Sequence, residues 1–210
     1  HQQNINQLDF VYIIGDAYVD HPSFGHAIIS RVLESFGYTV GIISQPDWKD
    51  DKSVTVLGEP RLGFLVSAGN MDSMVNHYTA AKRKRSDDAY TAGGQAGFRP
   101  DRATIVYSNI LKQLYPSTPV LIGGIEASMR RLAHYDYWSD SLMPSILLDS
   151  KADMLIYGMG EKVVSEVCNK LREGKKIEEL TDIRQSAYLC RKPVASPQGW
   201  NDTLLPSFEQ

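Results

Sequence analysis

Four short segments concentrate the polar groups that could do chemistry: GDAYVDHPSFG, AGNMDSM, GGIEASMRR and GMGEK. Their candidate ligand-binding residues are Asp20, His21 and Ser23; Gly69, Asn70 and Asp72; Gly123, Gly124 and Glu126; and Gly158, Gly160 and Glu161. Glycine lets the backbone turn sharply and lets a ligand come close, and free amides at a helix start favour an anion by about 0.3–1 kcal/mol per exposed charge. This is the chemistry of recognition, and no residue is assigned a catalytic role. Each turn also has a structural reading. Asp20, Ser23 and Asp72 can cap helices, Gly158 and Gly160 can turn the chain, and Glu126 can pair with Arg130 at i+4. The four turns gain meaning together only if the fold carries them to one edge.

Other chemistries lack their sequence support. No GxGxxG follows the first apolar run, and neither GxxxxGK[ST] nor GxSxG occurs. His21, His77 and His134 are scattered, with no HExxH and no His/Cys cluster, so no metal site is expected. The run KRKRSDD carries Lys82 to Arg85, but Asp87 and Asp88 adjoin it and the whole chain sums to −3, so nucleic acid ranks last among partners. His134, set among Tyr135, Tyr137 and Trp138, reads as a packed imidazole, and the aromatic rings as a surface for docking a neighbouring domain.

The elements that would position these turns recur as an apolar run, a small or polar turn, then a helix-period segment. Strands are expected over 10–15, 38–44, 62–69, 119–124 and 152–158. Helices are expected with Phe24, Ile28, Val32 and Phe36, joined by Ile29 and Leu33, as a wide inward face, from Asp72 to about Ala81, from an Asp101 cap with Ala103, Val106, Ile110 and Leu114 on one side, from Glu126 to Ala133, and with Val164, Val167 and Leu171 inward. Strands continuous in Val, Ile, Leu and Phe imply a parallel sheet covered on both faces. The fold class is therefore α/β: a three-layer, doubly wound, mostly parallel five-stranded sheet. Ligands of such sheets bind beyond the carboxyl ends of the strands. Residues 1–175 are expected to form this domain and 176–210 a linker or the start of a following one. Two distant cysteines, Cys168 and Cys190, and the lack of a long apolar run suggest a cytoplasmic chain with no membrane contact. The absent initiating Met suggests a piece of a longer protein.

Taken together, GDAYVDHPSFGHAI, GIISQPDW, AGNMDSMVNHYTA, DDAYT, RPDRATIVY, GGIEASMRRLAHYDYWSD and DSKADMLIYGMGE resemble the amino-terminal region of the YgiQ family of radical SAM proteins. The layout is more distantly similar to the cobalamin-binding domain that precedes the barrel in other radical SAM proteins. That similarity implies a flavodoxin-like strand order 2-1-3-4-5. The family resemblance implies a [4Fe-4S] cluster and S-adenosylmethionine, held by a CxxxCxxC loop that these 210 residues lack. Cluster and barrel are then expected downstream, the barrel as this domain's partner, the substrate unknown. Cobalamin has no motif support, because the broader group's DxHxxG ligand arrangement is replaced by adjacent Asp20 and His21 with Gly25 four residues on. Two further readings stay open: a stand-alone binder of cobalamin, flavin or nucleotide at the strand ends, and an RNA-binding module.

Overall fold

The structure, a computed structural model, describes residues 7–208. Its first half runs β1 (Phe10–Ile14), α1 (Gly25–Ser35), β2 (Val40–Ser44), α2 (Asp51–Thr55), β3 (Gly63–Ser67) and α3 (Ser73–His77). The second runs α4 (Ala103–Leu114), β4 (Val120–Gly123), α5 (Gly124–Met129), β5 (His134–Asp136), β6 (Ser141–Met143), α6 (Ile146–Ser150), β7 (Met154–Ile156), α7 (Glu161–Arg172) and β8 (Ser186–Ala187). The main sheet has the order β2-β1-β3-β4-β7-β8. Its first five strands are parallel, in the expected flavodoxin-like order, and β8 closes the edge antiparallel to β7.

Alternation along each strand divides the core in two. Phe10, Tyr12 and Ile14 of β1 join Leu65, Leu121, Met154 and Leu33 with the inner faces of α1 and α7. Val11 and Ile13 join Phe64, Val66, Ile122 and Leu155 with α4, α5 and α6. A strand buried on both faces has no use for polar residues, which is why FVYII is continuous rather than alternating. Val164, Val167 and Leu171 are buried on α7 as expected. The core continues past residue 175, where Ile177, Leu180 and Ile183 are buried against the α1/α7 layer.

Two helices sit rotated from their expected faces. On α1 the Leu33 and Ile29 part of the expected face is inward, joined by His26, Ala27 and Ser30, whereas Ile28 and Val32 are half-buried and Phe36 is exposed. On α4 they are Ala103, Thr104, Tyr107, Ser108 and Leu111 rather than Val106, Ile110 and Leu114. The cause is close approach: small residues let a helix lie against a sheet, and hydroxyls such as Ser30 Oγ satisfy themselves on the preceding turn, here His26 O at 2.8 Å. An apolarity reading discounts such residues. Nor does Asp101 cap α4. Arg102, in the left-handed region, precedes that helix, and its first amides are capped from other elements. The helices from Asp72 and Glu126 are also shorter than expected, ending at His77 and Met129. Residues 134–143 instead form the β5–β6 ribbon, paired His134 to Met143, Tyr135 to Leu142 and Asp136 to Ser141.

Candidate functional site

A cleft of about 320 Å³ opens at the carboxyl edge of the sheet. Tyr12, Leu65, Leu121 and Ile156 line it from the strands, and Ile28, Ile29 and Val164 from α1 and α7. Eight of the twelve candidate residues meet there: Ser23, Gly69, Asn70, Gly123, Gly124, Gly158, Gly160 and Glu161. Asn70 Nδ2 donates to Ser23 O at 3.2 Å, which ties the turn after β3 to the entry of α1. The lining combines apolar strand and helix side chains with polar and glycine turns, the composition of a small-molecule site. Burial pushes the Tyr12 phenol up to about 12, so it remains protonated at neutral pH.

His26 also lines the cleft, with its ring between Tyr18 and Phe24 at centroid distances of 5.6 and 5.4 Å. Burial holds its pKa below the ordinary histidine value, so it is neutral at pH 7. Its Nε2 has no protein partner among the described residues. Only the fold turns His26 inward, so no spacing in the sequence marks it.

Beneath the turn lies a buried ion cluster. Arg99 Nη1 donates to Asp16 Oδ1 at 2.7 Å and to Ala68 O at 2.8 Å, while Nη2 donates to Asp88 Oδ2 at 2.9 Å. All three side chains are essentially inaccessible. Asp16 Oδ2 accepts from the Asn70 amide at 2.6 Å, so the cluster sets the Ala68–Asn70 backbone. Gly69 has φ +112° and packs on that carboxylate; a Cβ there would lie 2.0 Å from Asp16 Oδ1. Burial raises the Asp16 pKa by more than Arg99 and the Asn70 amide lower it. At Asp88 burial also raises, but the Tyr90 amide and Arg99 prevail and hold it below the usual carboxylate range. Asp16 and Arg99 are 83 residues apart, and neither side chain shows in a linear reading that it has a partner.

The other four candidates lie elsewhere. Asp20 and His21 line a separate groove of about 390 Å³ along α1, beside Arg31 and Val32. Asp20 Oδ2 accepts from Arg31 Nη2 at 2.6 Å, and His21 Nδ1 accepts from the Ser23 amide at 3.1 Å. Asp72 caps α3 through the Met74 and Val75 amides at 2.9 and 3.1 Å and pairs with Arg130. Glu126 is buried, its carboxylate accepting from Ser73 N at 2.8 Å, Ser73 Oγ at 2.5 Å and Thr104 N at 2.9 Å. It joins the starts of α3 and α4, and its carboxylate does not meet Arg130, the i+4 pairing considered from the sequence.

His134 Nδ1 donates to Leu132 O at 3.1 Å and the ring is half-buried. The exposed run Lys82–Arg85 is partly engaged: Lys82 Nζ lies 4.8 Å from the Tyr137 ring centroid. Among the described residues, no three His, Cys, Asp or Glu side chains gather to hold a metal ion, and no helix is long and apolar enough to cross a membrane.

The sequence profile of the family described as Radical SAM N-terminal matches residues 1–210. The chain belongs to this Radical SAM N-terminal family. It is 56% identical over 209 residues to a UPF0313 protein of Clostridium botulinum (strain ATCC 19397 / Type A), covering all of this chain and 32% of that relative. It is 57% identical over 195 residues to a UPF0313 protein of Pseudomonas syringae pv. tomato, covering 93% of this chain and 25% of the relative. This Radical SAM N-terminal chain thus spans a quarter to a third of the relatives it matches. Its fold is similar to part of TsrM, a radical S-adenosylmethionine methyltransferase of Kitasatospora setae, in a structure with cobalamin and a [4Fe-4S] cluster bound. The TM-score is 0.55 at 16% identity, over 88% of this chain and 28% of TsrM.

Proposed function

We propose that this chain is the accessory domain of a YgiQ-like radical SAM iron-sulfur enzyme, cytoplasmic, covering the active site of a barrel built by the rest of the polypeptide. It is not catalytic alone. The observation that carries this reading is the family match along all 210 residues, in relatives three to four times as long. The chain's own donors do not fit a [4Fe-4S] cluster: Cys168 is buried in the core, Cys190 is exposed, and no third thiolate exists. Cluster and S-adenosylmethionine are therefore assigned to the downstream part, with residues beyond the last buried core position, Ile183, and the short β8 leading into it. In the parent protein, anaerobic iron-sulfur reconstitution should give a cluster and S-adenosylmethionine cleavage, both lost when every residue after Gln210 is removed. A cluster retained by the truncated chain would refute the assignment.

A second reading is favoured by the cleft itself. An apolar slot between α1, α7 and the ends of β3 and β4, opening among glycine turns, fits the elongated part of a cobalamin, and TsrM shares the fold. Ser23, Asn70, Gly124 and Gly160 would hold the group at the mouth. His21 would not be its ligand, because it faces the other groove and its Nδ1 is engaged by Ser23. Calorimetric titration of the parent with cobalamin tests this, with Ile29→Trp, which fills the slot, expected to abolish the heat. Absence of binding by the unsubstituted protein would dispose of the reading, and with flavins and nucleotides as further titrants would dispose of the other cofactors.

A further inference from the structure

Beside the cleft, whose lining includes Ile125 and Met159, the carboxyl edge of the sheet exposes further apolar side chains. On α5, Ile125 and Met129 stand at i and i+4 and are both exposed, and Leu132, in the bend that follows, is exposed as well. The ribbon adds a cross-strand pair: Tyr135 and Leu142 lie directly opposite each other, hence on one face, and are 57% and 65% exposed. Its other face is the anchored one, where Asp136 is buried and accepts from Arg102 Nη2 at 2.6 Å. Met159, 75% exposed, stands at the cleft mouth in the turn whose Gly158 amide points to Ser128 Oγ of α5. A two-stranded ribbon is marginal in water without a partner for its apolar face.

The backbone that carries these side chains is anchored. Ser145 Oγ donates to Arg131 O at 2.8 Å and the Ile146 amide to Arg130 O at 2.9 Å, closing the ribbon back onto the end of α5. Exposed apolar residues grouped on anchored backbone beside the cleft have the character of a docking surface, because isolated ones are ordinary but a group of them is not.

We infer that this face, Ile125, Met129, Leu132, Tyr135, Leu142 and Met159, is where the remaining part of the same polypeptide docks. The inference rests on the accessory-domain reading and adds which surface is covered. The occupant follows from length: about two thirds of the relative of Clostridium botulinum lies outside the matched region. A covalently joined occupant needs no second-molecule affinity, since linkage supplies an effective concentration on the order of millimolar.

Hydroxyl-radical footprinting of the full-length parent tests it, with Phe36 and Val56 as internal references. Both references are exposed and sit at the opposite end of the sheet, after α1 and α2 and before β2 and β3 begin. After correction for intrinsic reactivity, Tyr135, Leu142 and Met129 should label about tenfold more slowly than the references, whatever the protein concentration. Labelling at the rate of the references overturns the inference. So does protection that vanishes on dilution, which would make the occupant a second copy. Leu142→Glu should restore labelling of Tyr135 and Met129 in the parent. A parent that shows protection but takes no cluster refutes the radical SAM role and leaves the docking face standing; cluster without protection does the reverse.

Discussion

Gly69 and Gly25 are the same residue type doing different work, and substitution separates them. Gly69→Ala places a methyl group into the Asp16 carboxylate at a positive φ, and the expected cost is about 2–4 kcal/mol. Gly25 meets nothing within 4 Å and opens α1, so Gly25→Ala should be neutral or stabilise by up to about 1 kcal/mol. Urea unfolding midpoints of the two variants check both statements, and equal midpoints would contradict the packing described. Glu126 is the third instructive residue. Its three buried hydrogen bonds make it a fold residue, so Glu126→Gln should lower stability by about 1–3 kcal/mol. Ligand heats at the cleft should not change once the variant is folded.

Elements here are held by partners that arrive from distant sequence. α4 begins with Ala103 N donating to Ser73 Oγ at 3.1 Å and Thr104 N to Glu126 Oε1, so its cap is assembled by α3 and α5. The ribbon is tied to the start of α4 by the ion pair of Arg102 with Asp136, which also accepts from the Ser139 amide and hydroxyl, and Tyr137 Oη donates to Ala80 O at 2.6 Å. Arg102→Gln should therefore accelerate amide hydrogen exchange across 134–143 while α1 and the parallel strands keep their protection. Uniform acceleration through the whole chain would show that the ribbon is part of the global unfolding unit. That α4 and α1 are helices was legible from their spacing. Their rotation was not, since it depends on which small residues meet the sheet.

At the scale of the molecule, hydrogen-bonded carboxylates set the response to acid. At Asp9, Asp88, Asp101 and Asp136 burial pushes the pKa up, but amide hydrogen bonds, hydroxyls and paired cations prevail and hold it below the usual value. A depressed carboxylate contributes stability that is present above about pH 4, the unfolded value, and lost as pH falls through the folded one. Asp16 has the opposite sign: raised by burial, it contributes stability as it protonates on acidification. The depressed groups act together, so stability should fall on acidification below about pH 4, and Asp16→Asn, which removes the opposing group, should make that fall steeper. Chemical denaturation at a series of pH values reads both.

The sequence by itself determined the α/β class, the strand order implied by resemblance, and eight of the residues that meet in the cleft. Continuous apolar runs and glycine turns are local signals, and a doubly covered parallel sheet brings such turns to one edge. Only the tertiary structure decided that Glu126 and Asp72 are committed to structure, that Asp20 and His21 face another groove, and that Asp16, Arg99 and Asp88 form one cluster. A charged side chain's role depends on what lies within hydrogen-bond reach after folding, and sequence spacing carries little of that information across 83 residues.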